Sequence, residues 1–163
     1  MKKAFTLIEI VIVLVVISIL MTATMKFGSN RIDDLKSQSL KEQFVWYYND
    51  LYRQNLMSSF RDETKYQNLI LTFQTGTWYR TDVTPPVIDP KLTDVMFTGL
   101  ALDAHPFPSI DITLVPYILW CTIASASTTW SLFSFQLYIP KNGKQYCFEI
   151  KSETCKLVEI RCN

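Results

Sequence analysis

The side chains able to carry chemistry are few in this chain of 163 residues, and most stand alone. The sole histidine, His105, lies beside Pro106 and near Pro108, with no nucleophile motif around it. There is no Gly-x-Ser-x-Gly, no glycine-rich phosphate loop and no His-Glu-x-x-His, so acyl-transfer, nucleotide and zinc-protease chemistry lack their usual parts. Asp82, Asp89, Asp94, Asp103 and Asp111 form an acidic stretch countered only by Lys91. Their spacing is not that of a calcium loop, and solvated loops account for them. Cys121, Cys147, Cys155 and Cys162 contain no Cys-x-x-Cys pair and have no histidine close by, which argues against zinc. No catalytic residue, metal or cofactor is therefore expected. One carboxylate does stand out. Glu9 is the only charge between Phe5 and Met25, and a lone acid in so apolar a run is costly unless it serves a function.

The element that must position Glu9 is a helix. A helical run of that length extends about 31 Å, roughly the hydrocarbon thickness of a bilayer. It is rich in β-branched residues such as Ile10, Val11, Ile12 and Val13, which disfavour helix in water. In lipid the helix is the one single-segment structure that satisfies its own backbone. Lys2 and Lys3 precede the run, as expected of a cytoplasmic flank. A cleaved secretory signal fits poorly: the apolar region is too long, and Met21-Thr22-Ala23-Thr24-Met25 offers no good pair of small residues. A plain signal anchor fits the length and flanking charge, but leaves Glu9 only to snorkel toward the membrane surface.

Lys2-Lys3-Ala4-Phe5-Thr6-Leu7-Ile8-Glu9, followed by an aliphatic run, resembles the N-terminal signature of type IV pilins and pseudopilins. The resemblance covers residues 1–27 in order and spacing, with Ala4 where the family normally has glycine. It implies a leader of residues 1–4, cleavage between Ala4 and Phe5 by a prepilin peptidase, and methylation of the new Phe5 N-terminus. It also implies storage as a single-pass inner-membrane precursor with a cytoplasmic N-terminus and an extracytoplasmic globular domain. Assembly machinery of the inner membrane then builds like subunits into a filament on the cell surface, serving adhesion, secretion or DNA uptake. Processing would place an α-amino group one helical turn before Glu9, on the same side. A buried carboxylate is tolerable beside a cation. The amine of a neighbouring subunit, which the family pairs with this acid, would then set axial register. The competing reading is a membrane-anchored binding protein that never polymerises.

No proline interrupts residues 5–84, and beyond the apolar run Gly28-Ser29-Asn30 is the one local breaker cluster. Either Asn30 caps a second helix or the cluster lies inside one continuous helix. Residues 31–63 read as amphipathic, with Leu40, Phe44, Tyr48, Tyr52, Leu56 and Phe60 recurring every fourth position. Ile32, Leu35, Tyr47 and Leu51 broaden that stripe. The stripe is expected to cover a sheet, and its start is also a candidate for subunit contacts.

Residues 64–163 read as β-rich. Leu69, Leu71 and Phe73 alternate before Gly76, and Trp78-Tyr79 follows. Pro85, Pro86 and Pro90 mark a loop over 82–90. Val95-Met96-Phe97 and Ile110–Leu114 are strand candidates, with His105-Pro106-Phe107-Pro108 a turn or rigid connection. Residues 112–140 carry no charge and are read as two mostly buried strands around a polar turn, because Pro116 and Ser125–Thr129 break any second span. Phe133, Phe135, Leu137 and Ile139 share one strand face, and Asn142-Gly143 predicts a type I′ hairpin. Tyr146, Phe148 and Ile150 continue the meander, and Val158 with Ile160 alternates against Leu157 and Glu159.

An even cysteine count beyond a membrane-spanning N-terminus points to two disulfides in an oxidising compartment. Spacing alone leaves the pairing open. Cys147 and Cys155 flank the last hairpin and are expected to face each other, leaving Cys121 for Cys162. Lys141, Lys144, Lys151, Lys156 and Arg161 read as a sheet edge protected against strand addition. The near balance of 16 basic and 15 acidic residues gives nucleic-acid binding no further support. The expected fold is α+β and type IV pilin-like. It has a leader (1–4), a membrane-spanning segment that doubles as filament core (5–27), an amphipathic helix (28–63) and an antiparallel β-rich domain (64–163).

Overall fold

The computed structural model describes residues 7–61, 69–80, 92, 94–115, 120–125 and 128–162. The chain forms two compact units, Met1–Lys36 and Ser37–Asn163. A helix, α1, spans Leu7–Arg61, so the helical assignment runs through Gly28-Ser29-Asn30 and the continuous alternative holds. The predicted loop over 82–90 lies outside the described residues.

The remaining elements are strands: β1 (Leu69–Gln74), β2 (Thr77–Arg80), β3 (Met96–Leu102), β4 (His105–Pro106), β5 (Ser109–Leu114), β6 (Cys121–Ser125), β7 (Thr128–Trp130), β8 (Leu132–Ile139), β9 (Lys144–Lys151) and β10 (Leu157–Ile160). They make two antiparallel sheets, ordered β2-β1-β5-β6-β7 and β10-β9-β8-β3-β4. This is the expected α+β, pilin-like architecture, with two sheets where one was foreseen. The uncharged stretch 112–140 therefore contributes to β5, β6, β7 and β8 rather than to two strands.

The core of the globular unit is aromatic. Phe44 of α1 lies 5.3 Å from Trp78, 5.4 Å from Phe97, 5.8 Å from Phe135 and 5.7 Å from Phe148, mostly edge-on. One ring thereby touches strands of both sheets. Phe73 bridges them as well, 5.1 Å from Phe133 and 5.1 Å from Phe135. Edge-to-face pairs of this kind add about 0.5–1.5 kcal/mol beyond area burial.

Within this unit the buried face of α1 is Ser37, Phe44, Tyr48, Leu51, Asn55 and Ser58, with Leu40, Tyr47 and Tyr52 partly buried beside it. With Leu40 included, that stripe advances by steps of three or four, as about 3.6 residues per turn requires. A strict four-residue repeat turns a little further with each step. It leaves the buried face, and Leu56 is only half-buried; the Phe60 side chain lies outside the described residues. Ile32 and Leu35 are exposed.

Two turns differ from expectation. Ile139 pairs with Lys144, so Pro140–Gly143 is a four-residue loop and not a two-residue type I′ turn. Gly143, at φ 69°, supplies its left-handed position. The two-residue turn with both φ positive is Asp103-Ala104, at 44° and 70°, between the paired Leu102 and His105. Ser131 Oγ donates to Asp103 Oδ1 at 3.0 Å, and Asp103 N–H to the Leu132 carbonyl at 3.0 Å. His105-Pro106, expected as a turn, is thus a short edge strand, a position where proline costs no ladder bond.

In the last strand the pairing decides which residues meet the core. Leu157 pairs with Ile150 and Glu159 with Phe148. Leu157 therefore packs on the core, while Val158 is 51% exposed. A shift of one residue exchanges the two faces of a strand, and alternation alone does not say which face is inside.

Candidate assembly site

Glu9 lies on α1 close to the first described residue, Leu7. Ala4 and Phe5, the predicted cleavage and methylation positions, lie outside the described residues. From Leu7 to Met25 the helix is apolar and long enough to cross a membrane, and every side chain there is exposed. Its few hydroxyls are turned onto the helix itself. Ser18 Oγ donates to the Leu14 carbonyl at 2.8 Å, Thr22 Oγ1 to Ser18 at 2.8 Å and Thr24 Oγ1 to Leu20 at 3.0 Å. A surface with no unsatisfied hydroxyl can enter hydrocarbon at little polar cost. Glu9 is the one ionisable side chain among residues 7–25.

In the globular unit, α1 is fastened by polar groups, among them the hydroxyls of the stripe residues Tyr48 and Tyr52. Tyr48 Oη donates to the Cys155 carbonyl at 2.7 Å and Tyr52 Oη to the Thr154 carbonyl at 3.2 Å. Asn55 Nδ2 donates to the Leu114 carbonyl at 3.2 Å, and Asn142 Nδ2 donates to Ser37 Oγ. Lys41 Nζ lies 2.9 Å from Glu159 and 5.0 Å from the Tyr146 ring centre. Burial pushes the Tyr48 hydroxyl well above the usual tyrosine range, with Tyr52 adding to the shift. Ser37, Asn55 and Ser58 escape a search for apolar periodicity because they are polar. Their recurrence in register with Phe44, Tyr48 and Leu51 is the signal that could have found them.

All four predicted cysteines are in disulfides, but in another pairing: Cys121 with Cys155 and Cys147 with Cys162. The expected Cys147–Cys155 bridge is corrected by register. Ile160 lies opposite Cys147 across the β9–β10 pair, which brings Cys162, just beyond, to that cysteine. Cys155 sits in the intervening turn at φ 53° and reaches β6 of the other sheet. The Cys121–Cys155 bridge therefore joins the two sheets, and Cys147–Cys162 anchors the residues after β10.

Of the acidic series, Asp82 and Asp89 lie outside the described residues. Asp111 is not in a solvated loop as expected. It stands on β5 opposite Thr72, whose Oγ1 donates to it at 2.6 Å.

The architecture is that of a pilin-like α+β protein: an apolar N-terminal helix, continued by a helix packed on antiparallel sheets. Residues 1–25 match the family model described as the prokaryotic N-terminal methylation motif. This stretch is the prepilin-type signature of type IV pilins and pseudopilins, and the chain carries it. No curated protein and no solved structure matches the chain.

Proposed function

We propose that this chain is a structural subunit of a type IV pilus or pilus-like filament. Its precursor sits in the inner membrane through residues 5–27, with Lys2 and Lys3 in the cytoplasm and the globular domain outside. Prepilin peptidase cuts between Ala4 and Phe5, Phe5 is methylated, and assembly machinery packs the freed helices of like subunits together. The observation that carries this reading is the methylation motif over residues 1–25, continued by a helix exposed along its whole apolar length.

Such a surface gains about 25 cal/mol for every Å² removed from water into lipid, and against neighbouring helices it exchanges lipid contacts for side-chain packing. Packing between aliphatic side chains supplies cohesion but little axial register. Glu9 supplies register, because a desolvated carboxylate needs the Phe5 amine of an adjoining subunit. The role is mechanical, and the disulfides suit an extracytoplasmic domain.

Mass spectrometry of the mature chain, without reduction, tests the proposal. The expected mass starts at Phe5, carries one methyl group and lacks the four thiol hydrogens. A chain that retains Met1 and stays monomeric in the membrane is the anchored binding protein instead. Glu9→Ala is expected to be processed and yet to abolish filaments seen by electron microscopy. Normal filaments from that variant contradict the role given to Glu9.

A further inference from the structure

One corner of the globular unit has exposed features that its own packing does not use. A cleft of about 380 Å³ is lined by Trp120, Thr122, Thr129, Trp130, Ser152 and Glu153, among others. It lies where the two sheets meet at their ends. Trp120 precedes β6, Thr129 and Trp130 belong to β7, and Ser152-Glu153 opens the turn between β9 and β10.

The walls are held firmly. Cys121 N–H donates to the Ser152 carbonyl at 2.8 Å, and Ser152 N–H to the Ser131 carbonyl at 2.9 Å. The Cys121–Cys155 disulfide closes the same junction. Trp130 is set by Phe107, edge-on at 5.4 Å, and by the His105 ring at 6.1 Å. A site whose walls are already ordered avoids much of the entropic cost of binding.

The lining is unusual in what it leaves unused. Trp120 is 51% exposed, far more than core packing would leave it. Around it stand the hydroxyls of Thr122, Thr129 and Ser152 and the carboxylate of Glu153. None of these side chains makes a hydrogen bond or ion pair among the described residues. A flat indole face surrounded by uncommitted hydroxyls and one acid matches a ligand with an apolar ring face and a rim of hydroxyl groups.

We infer that this cleft binds a neutral saccharide, with a sugar ring stacked on Trp120 and its hydroxyls shared among Glu153 and the Thr and Ser side chains. The volume is at the lower end of small-molecule sites, about 300–1,000 Å³, enough for a sugar ring and little beyond it. Glu153 selects against acidic sugars, since two carboxylates in one cleft repel each other. A cationic ligand would use the indole and Glu153 but would leave three hydroxyl side chains idle. This inference is independent of the proposed function: the cleft lies wholly in the globular unit and serves a filament subunit or an anchored monomer equally.

The test is a titration of the full-length protein in a sugar-free polyoxyethylene detergent, followed through its tryptophan indole N–H resonances. The probes are maltose, lactose and chitobiose, with glucuronate and tetramethylammonium as the anionic and cationic arms. At least one neutral disaccharide is expected to shift the Trp120 resonance saturably. Trp120→Ala is expected to weaken that binding about tenfold, read at Trp130, and Glu153→Gln to weaken it less. Both positions are exposed, so an unchanged melting temperature separates lost binding from lost structure. Absence of a saturable shift with all three disaccharides overturns the inference. So does full binding after Trp120→Ala, or saturation by tetramethylammonium alone.

Discussion

Residues 7–25 and residues 37–58 belong to the same helix and follow opposite rules. The first segment is apolar on every side, exposed on every side, and folds its hydroxyls back onto its own backbone. The second exposes polar groups, buries one stripe, and sends the hydroxyls of Tyr48 and Tyr52 and the amide of Asn55 to carbonyls of the β-rich part. Even its exposed aromatic, Trp46 at 66%, stands apart from the buried stripe. The difference teaches where each segment finds its stability. The second half has its partners within the chain. The apolar side chains of the first half have none among the described residues of its own unit.

Substitutions that break this contrast are expected to differ most in the second segment. Phe44→Ala removes the ring that touches both sheets and should cost about 3–5 kcal/mol, measured by chemical denaturation in detergent. Cys121→Ser with Cys155→Ser opens the link between the sheets and should cost about 2–4 kcal/mol in the same assay. Tyr48→Phe leaves the Cys155 carbonyl without its donor and should cost about 1–3 kcal/mol.

Tyr48 also makes a pH-dependent prediction. In the folded state burial keeps its proton on, whereas the unfolded side chain releases it near the ordinary value of about 10. Below that pH the group contributes no slope. Above it the folded state binds more protons, so stability falls by about 1.4 kcal/mol per pH unit. Denaturation midpoints across that range should lose this component of their slope in Tyr48→Phe. Lys41→Met separates a partly exposed ion pair with Glu159 and should cost under about 1 kcal/mol. The smallest effect sharpens the comparison from the other side. Val13→Ala, in the exposed apolar segment, should leave the denaturation midpoint of the globular unit unchanged within about 0.5 kcal/mol.

Much of this arrangement could be read in advance wherever residue type and environment correspond directly. The apolar run is a helix of membrane-crossing length from Leu7 to Met25, and Phe133, Phe135, Leu137 and Ile139 do lie on one buried face. The helical stripe was legible at Phe44, Tyr48 and Leu51 but not at Ser37, Asn55 and Ser58. Ser37 and Asn55 are buried opposite Asn142 and the Leu114 carbonyl, which are distant in sequence, and the Ser58 hydroxyl is satisfied by the Asn55 carbonyl of its own helix. Asp103-Ala104 was missed as a turn because neither residue is a glycine, and Ser131 and Leu132 help to hold it.

What the linear order of residues decided by itself was the division of labour. A membrane-length apolar helix bears a single acid within the methylation motif, and an amphipathic helix precedes a β-rich remainder. Those features depend on composition and local periodicity, which act over a few turns or a few strand residues. Tertiary structure alone decided the two-sheet arrangement, the inward face of β10, the Cys121–Cys155 and Cys147–Cys162 pairs, and the cleft beside Trp120. Each depends on strand register and on contacts between distant segments, and near-equivalent alternatives differ by a shift of one residue that local pattern cannot distinguish.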